Sequence, residues 1–143
     1  MDCAATTIRS KSFFVFILLL LVGCAAVPEG PLVDRSGWVI RREMLSHGKD
    51  SNKKIELFWT KPTGDGPYPA ILYIHGHQEQ LRDGGETYVK TGRLGVMAGR
   101  GYVVASLSQP GYGNSDGPAD YCGPFTQDAA LVAIEMGRLK NGL

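Results

Sequence analysis

The sequence predicts an α/β fold that starts with an antiparallel hairpin and continues with parallel strands and flanking helices. Two observations support this prediction. Two short apolar runs, the continuous Ala70–Ile74 and the largely apolar Tyr102–Ser108, have the pattern of strands that are buried on both faces. A segment with helical spacing of apolar residues separates these runs, and a second one follows them. Strands that alternate with helices in this way are typical of a sheet that becomes parallel.

The hairpin is predicted from the two segments that precede the apolar runs. Trp38–Leu45 and Lys54–Thr60 contain the β-branched and aromatic residues that strands favour, and the polar sequence "SHGKDSN" separates them. We therefore expect two antiparallel strands joined by this turn. His47, which lies in the turn, is predicted to be a solvated turn residue.

The two segments with helical spacing differ in how strongly they predict a helix. Residues 86–101 place apolar side chains at helical spacing, although Gly92 and Gly95 weaken the pattern. A glycine-rich polar loop follows the second apolar run and covers Gln109 to Pro124. Residues 126–140, "TQDAALVAIEMGRLK", are rich in Ala, Leu and Met and predict a helix.

The first 26 residues have the layout of a secretory signal peptide. Arg9 and Lys11 precede the apolar run Phe13–Val22, and small residues follow this run. The run is shorter than the roughly 20 residues that a helix needs to cross a bilayer. A signal peptide is therefore favoured over a stable membrane span.

The stretch Leu21-Val22-Gly23-Cys24 closely resembles the bacterial lipobox. The resemblance implies a signal peptide over residues 1–23, lipid attachment at Cys24, and a protein anchored to the cell envelope, at the outer membrane if the host has one. Two or three acyl chains hold a protein on a membrane where one would not. The Pro- and Gly-rich sequence up to Gly37 predicts a tether over residues 24–37 and a folded domain over 38–143. The alternative is cleavage after Ala26 and a soluble secreted product.

Charge and cysteine content exclude several other classes of protein. The formal net charge of +1 comes from 15 basic and 14 acidic residues without long runs, so no nucleic-acid partner is expected. Cys3 leaves with the signal peptide and Cys24 would carry the lipid, so Cys122 alone remains and no disulfide framework is possible. Cys122 lacks the sequence context of a nucleophile and is predicted to be a packed or idle thiol.

Ser115 lies in "GNSDG", which matches the G-x-S-x-G motif of serine nucleophiles. That motif needs a tight turn directly between a buried strand and a helix. Here the strand ends near Ser108, and Pro118 and Pro124 delay the next helix until about Thr126. Ser115 is therefore predicted to be a loop serine that hydrogen-bonds to the backbone.

The sequence "HGHQE" follows the first apolar run directly. His75 and His77 have the spacing of a metal site, and Glu79 could be a third ligand, but no later histidine completes a zinc shell. Alternatively, the segment is an oxyanion loop, in which Gly76 lets the chain turn closely and the next backbone N–H points at an acyl oxygen. A plain turn with solvated histidines is the third interpretation. No metal is expected.

Gly111-x-Gly113, with Gly117 four positions later, resembles a dinucleotide-binding loop. A true fingerprint must open a helix at once and be followed by an acidic residue about 20 positions later. Neither condition is met, so no cofactor is expected.

Taken together, "YPAILYIHGHQ", a helix, "GYVVASLSQPGYGNSDGP" and "FTQDAALVAIEM" resemble the N-terminal half of the α/β-hydrolase fold. The similarity is greatest to the prolyl-oligopeptidase-like, acyl-esterase and dienelactone-hydrolase-like branches. The resemblance implies that the backbone N–H of His77 is one oxyanion-hole donor and that the substrate is a small-molecule or peptide acyl compound.

The same resemblance implies that the domain is truncated. In that family the nucleophile, the acid, the catalytic histidine and the second oxyanion donor would all lie beyond Leu143, so we expect this chain to be inactive alone. The strand Ala70–Ile74 would be left with an open edge, so the isolated mature segment is expected to aggregate or to melt at low temperature.

Three functions remain open from the sequence. The first is the front part of an exported, lipid-anchored serine hydrolase that cleaves ester or amide bonds. The second is a non-catalytic envelope lipoprotein or binding module on the same half of the fold. A metallohydrolase is the third, and it would require stoichiometric zinc that His75→Ala removes.

Overall fold

A computed structural model of the chain describes residues 31–79 and 82–141. The predicted signal peptide (1–23), Cys24 and the first part of the tether lie outside the described residues. The described elements, in chain order, are β1 (Leu32–Val33), β2 (Val39–Ser46), β3 (Lys54–Thr60), β4 (Ala70–Ile74), α1 (Glu86–Lys90), α2 (Arg93–Ala98), β5 (Val103–Leu107) and α3 (Pro124–Asn141). Within this part of the chain, no helix combines the length and the apolar character that crossing a membrane requires.

The strands form one mixed sheet in the order β1-β2-β3-β5-β4. β2 and β3 form the predicted antiparallel hairpin. β5 then pairs with β3 antiparallel, with Leu57 opposite Leu107, and with β4 in parallel, with Ile74 opposite Leu107. The α/β fold class and the change to parallel pairing are therefore confirmed.

Helices cover the two faces of the sheet because successive side chains of a strand point to opposite sides. Ile55, Leu57 and Trp59 of β3 pack under α3, and Phe58 packs on the other face with residues of α1 and α2. Ile55 and Leu57 are completely buried. Full burial of such a side chain contributes roughly 1.5–3 kcal/mol, so β3 is the central strand of both cores.

The helical pattern over residues 86–101 corresponds to two short helices, α1 and α2. Gly92 separates them with a φ of +74°, a left-handed conformation that only glycine adopts without strain. Gly95 lies in α2 because a side chain there would collide with Ser36 and Asp34. Both glycines that weaken the sequence pattern thus have a steric reason.

The last part of the predicted tether belongs to the folded unit. β1 pairs with β2, and the buried Asp34 carboxylate accepts hydrogen bonds from the N–H groups of Ser36, Trp38 and Gly95 at 2.8–3.1 Å. Burial acts to raise the pKa of Asp34, but hydrogen bonds, first of all from the Ser36 hydroxyl, outweigh it and the pKa is lowered. The Pro- and Gly-rich composition did not reveal this turn because its main partner, α2, is distant in sequence.

The prediction that His47 is a solvated turn residue is wrong. The ring is only 2% exposed, it stacks on Phe125 at a centroid distance of 3.7 Å, and its Nε2 lies 2.9 Å from the Phe125 carbonyl oxygen. Its Nδ1 accepts the Lys49 N–H at 3.1 Å, so Nε2 is the donor. The start of α3 covers the hairpin turn, and this long-range contact removes His47 from water.

β4 lies at one end of the sheet, and its apolar side chains are incompletely covered. All of β5 is buried, whereas Ala70 and Ile74 of β4 are exposed and its middle residues are half-buried. A groove of about 290 Å³ runs beside β4 and is lined on the α3 side by Ala133 and Ile134. An apolar edge strand of this kind is a template for pairing with other chains.

Ile74→Lys is therefore expected to reduce aggregation of the chain. Ile74 is 42% exposed at the end of the edge strand, and a lysine on an edge strand opposes edge-to-edge pairing. The matched control is Val96→Lys, because Val96 is 48% exposed on α2, away from the sheet edge. Sedimentation should show a larger monomer fraction for Ile74→Lys only. Equal improvement in both variants would mean that net charge, and not the β4 edge, controls aggregation.

Candidate active site

The candidate site lies where the parallel strands β4 and β5 end side by side. The segment 75–79 follows β4, and the loop that starts at Ser108 follows β5. In open α/β sheets, ligands bind in the crevice at the carboxyl ends of the strands. The topology thus brings the "HGHQE" segment and the "PGYGNSDGP" loop together.

His75 and Gln109 connect these two segments. The Gln109 N–H donates to His75 Nε2 at 3.0 Å, and the Gln109 side-chain amide donates to the His75 carbonyl oxygen. His75 Nδ1 lies 2.7 Å from the Gly76 carbonyl oxygen, which can only accept, so Nδ1 carries the proton. His75 is 4% exposed and is a neutral structural residue that joins the two strand ends.

The stability of the fold is expected to fall below about pH 6.5 because of His75. Burial lowers the pKa of His75 from its usual 6.5, and the hydrogen bond to Gly76 only partly opposes this. As the pH falls, the unfolded chain therefore binds a proton before the folded chain does, and stability is lost progressively down to the lowered folded pKa. Urea unfolding of the wild type and His75→Gln across this range should show a weaker pH dependence in the variant. Identical pH dependence in the two proteins would exclude His75 as the responsible group.

His77 points in a different direction from His75 and lines an aromatic bay. Its Nδ1 lies 2.8 Å from the Tyr112 hydroxyl, and the Tyr121 ring lies 5.4 Å from its own ring. Tyr112 is 4% exposed and packs edge-on against His75 at 4.8 Å, with the Arg82 guanidinium 5.4 Å above its ring. The half-exposed His77 side chain is therefore held by a buried tyrosine.

Gln78 fixes the other side of the His77 backbone. Its Oε1 accepts the Gly84 N–H at 2.9 Å, and its Nε2 donates to Thr87 Oγ1 at 3.0 Å, which ties the segment to α1. Among residues 31–79 and 82–141, the backbone N–H of His77 has no hydrogen-bond acceptor. The segment is thus anchored on both sides of the His77 N–H, which, like the N–H groups of Gly76 and Gln78, has no acceptor among the described residues.

The histidines do not form a metal centre in the described part of the chain. His75 is directed to Gln109 and Gly76, and His77 is directed to Tyr112, with Glu79 Oε1 at 3.8 Å from its Nε2. No group of three His, Cys, Asp or Glu side chains among the described residues is placed to hold a metal ion. The H-x-H spacing therefore serves two separate contacts.

Ser115 is buried, and its hydroxyl accepts one hydrogen bond and donates another. The Ser115 Oγ accepts the Glu56 N–H at 2.9 Å and donates to the Ser108 carbonyl oxygen at 2.7 Å. Both partners are backbone groups, as the sequence predicted. A hydroxyl with this environment does not face a substrate, and Ser115 is a structural residue.

The sequence analysis missed Glu56, which organises the loop around Ser115. Glu56 is 1% exposed, and its Oε1 accepts from Arg42 Nε at 2.8 Å and from Asn114 Nδ2 at 2.9 Å. Its Oε2 accepts from Ser108 Oγ at 2.8 Å and from the Asn114 N–H at 3.1 Å. Gly113 is required beside this carboxylate because a Cβ there would collide with Oε2. The signal in the sequence was a single acidic residue inside an otherwise apolar strand.

A turn with strained backbone angles places Tyr121 beside His77. Tyr121 and Cys122 have φ values of +50° and +69°, which non-glycine residues rarely adopt. Asp120 holds the turn by accepting from the Phe125 N–H at 2.8 Å and from the Thr126 hydroxyl and N–H. Burial acts to raise the pKa of Asp120, but these hydrogen bonds, led by that of the Thr126 hydroxyl, lower it. Cys122 is exposed, so of the two predicted alternatives the packed thiol is excluded and the idle thiol stays a prediction.

Solved structures with a similar fold are α/β hydrolases. A mutant of the Vigna radiata epoxide hydrolase matches with a TM-score of 0.51 and 18% identity, over 68% of this chain and 27% of that one. A protein of unknown function from Agrobacterium tumefaciens, described as a candidate α/β hydrolase, matches with 0.56 and 13% identity over 71% and 44%. The Pyrococcus furiosus esterase Pf2001 matches with 0.54 and 11% identity over 71% and 38%.

These similarities establish the fold, which is a portion of the α/β-hydrolase fold. The chain spans less than half of the length of these solved structures. No protein-family model matches the sequence, and no curated protein is significantly similar to it.

Proposed function

We propose that the chain is the amino-terminal part of an exported, lipid-anchored serine hydrolase that cleaves ester or amide bonds. The observation that supports this most strongly is the N–H of His77. It lies at the carboxyl end of β4, beside the end of β5, and its segment is anchored through Gln78 and Tyr112. Rigid, unpaired backbone donors at such a position suit an oxyanion hole.

In the proposed reaction, a serine of the complete enzyme attacks the acyl carbon while a histidine takes its proton. The histidine then gives that proton to the leaving group. Water attacks the acyl-enzyme in the same way, and the histidine takes the proton of the water and passes it to the serine. The N–H of His77 donates to the oxygen that becomes negative in each tetrahedral intermediate. His75, Gln109 and Gln78 are positioning residues because they hold this N–H in place.

The remaining machinery belongs, in this proposal, to residues that the present sequence does not contain. The Ser115 hydroxyl is hydrogen-bonded to two backbone groups, and no described serine lies between a strand and an immediately following helix. The chain by itself is therefore expected to lack hydrolytic activity. Export and the anchor at Cys24 are proposed from the lipobox and the signal-peptide pattern alone.

A fluorophosphonate probe tests the proposal on the complete gene product. We expect one labelled serine, identified by peptide mass spectrometry, in a strand–turn–helix context and not at Ser115. The Ser115→Ala variant is the control and should label to the same extent. Absence of labelling in a folded protein, with an authentic stop codon after residue 143, would favour the non-catalytic lipoprotein instead.

A further inference from the structure

The end of the sheet farthest from the candidate site carries an exposed apolar and cationic surface. We define the β1–β2 patch as Val33, Val39, Arg41 and Lys61. Val33 and Val39 are direct cross-strand partners, and each is 55% exposed. The core under α3 is built on β3 and β5, so these two valines at the β1 side have no such cover.

The patch has a positive charge beside its apolar part. The Arg41 guanidinium lies 4.9 Å from the centroid of the Trp59 ring, and Lys61 follows the same end of β3. A cleft of about 360 Å³ separates them and is also lined by Trp38 and Val39. Among the described residues, neither cation has a carboxylate within 4 Å.

Glu43, the next acidic side chain along β2, offsets only one of the two positive charges. Glu43 accepts the Trp59 Nε1–H at 3.0 Å and is directed at the strand pair. An exposed valine pair next to two cations has the chemistry of a surface that binds anionic phospholipid headgroups and their acyl boundary.

The tether places the patch within reach of such a surface. This argument rests on the lipid anchor of the proposed function. Val33 lies nine positions after Cys24, so the connecting chain spans at most about 30 Å when fully extended. A tether this short keeps the local lipid concentration high, so a patch with low affinity for lipid is bound to the membrane for much of the time.

We propose that the β1–β2 patch docks onto the anionic lipid surface to which the chain is anchored. Docking sets the orientation of the candidate site. Thr60 lies opposite Val104 at the start of β5, whereas Leu57 lies opposite Leu107 near its end. The patch and the His77 segment are thus at opposite ends of the strands, and the site opens toward water. The substrate class is then a water-soluble acyl compound and not a lipid of the same bilayer.

The chain contains the probe for this test, since Trp38 and Trp59 are its two tryptophans and both lie at the patch. The acylated full chain is incorporated into vesicles of phosphatidylglycerol and brominated phosphatidylcholine in equal amounts. The quenching of tryptophan fluorescence by the brominated chains is compared with the quenching in vesicles that contain brominated phosphatidylcholine only. Val33→Ser/Val39→Ser/Lys61→Gln is the patch variant, and Val96→Ser/Arg100→Gln, in α2 and the turn that follows it, is the control away from the patch.

We expect quenching in the anionic vesicles to fall by about half in the patch variant and to stay unchanged in the control. Thermal unfolding of both variants checks that they fold. Equal quenching in the wild type and the patch variant, with all proteins floating with the vesicles, would overturn docking and leave the anchor intact. Failure of the wild type to float would overturn the anchor and docking together.

Discussion

Glu56→Ala is expected to lower the free energy of unfolding by about 3 kcal/mol. The substitution leaves Ser108 Oγ and both donors of Asn114 without their buried acceptor, and it removes one partner of Arg42. Loss of one partner of a buried ion pair costs about 3–5 kcal/mol. We expect the lower end because the Arg42 side chain is 37% exposed and can reach water. Chemical denaturation measures the change.

Glu135→Ala is the matched control for Glu56→Ala. Glu135 and Arg138 form an exposed pair on α3 at 3.9 Å, and such surface pairs contribute at most about 1 kcal/mol. Hydrogen exchange should also show faster opening of the Asn114 and Ser115 amides in Glu56→Ala. If Glu56→Ala were no more destabilising than Glu135→Ala, the carboxylate would not be the centre of the loop.

His77→Pro is expected to lower kcat of the complete enzyme by about 10²- to 10³-fold. Proline removes the backbone N–H that the proposal assigns to the oxyanion hole, whereas His77→Ala removes only the imidazole and keeps the donor. We expect KM to change little, because the oxyanion contact strengthens only as the tetrahedral intermediate forms. Steady-state kinetics on a chromogenic ester distinguishes these effects.

The comparison between the two substitutions at residue 77 decides whether the backbone N–H or the imidazole side chain acts in the reaction. Thermal unfolding must first show that His77→Pro retains the fold. Similar losses of kcat in His77→Pro and His77→Ala would assign the effect to the side chain and its contact with Tyr112, and would contradict an oxyanion role for the backbone.

The sequence predicted the parts of the fold that have a local signature. An apolar run predicts a strand, and the runs Ala70–Ile74 and Tyr102–Ser108 were found in this way. Val103–Leu107 is buried throughout, whereas Ala70–Ile74 is an edge strand, so the prediction that both are buried on both faces is confirmed for β5 only. The order of the elements followed from the strand and helix patterns along the chain, and the described structure confirms it, with β1 added and residues 86–101 divided into two helices. The antiparallel pairing of β3 with β5 has no local signature, because it depends on where distant segments meet.

The residues that hold the candidate site were predicted less well for the same reason. Glu56 was visible as an acidic residue in an apolar strand, but its partners Ser108 and Asn114 are 52 and 58 positions away. The environment of His47 depends on Phe125, at a separation of 78 residues. The motif around Ser115 could be rejected from sequence because its requirement, a strand and a helix on either side, is itself local.

The central claim is that the N–H of His77 faces the reacting acyl group of a serine hydrolase. A crystal structure of the complete protein with a covalent phosphonate adduct tests it most directly. The account predicts an adduct on a serine outside the present sequence, with a phosphonyl oxygen about 2.7–3.1 Å from the His77 nitrogen. An adduct on Ser115, or one whose oxygens lie away from the segment 75–79, would contradict it.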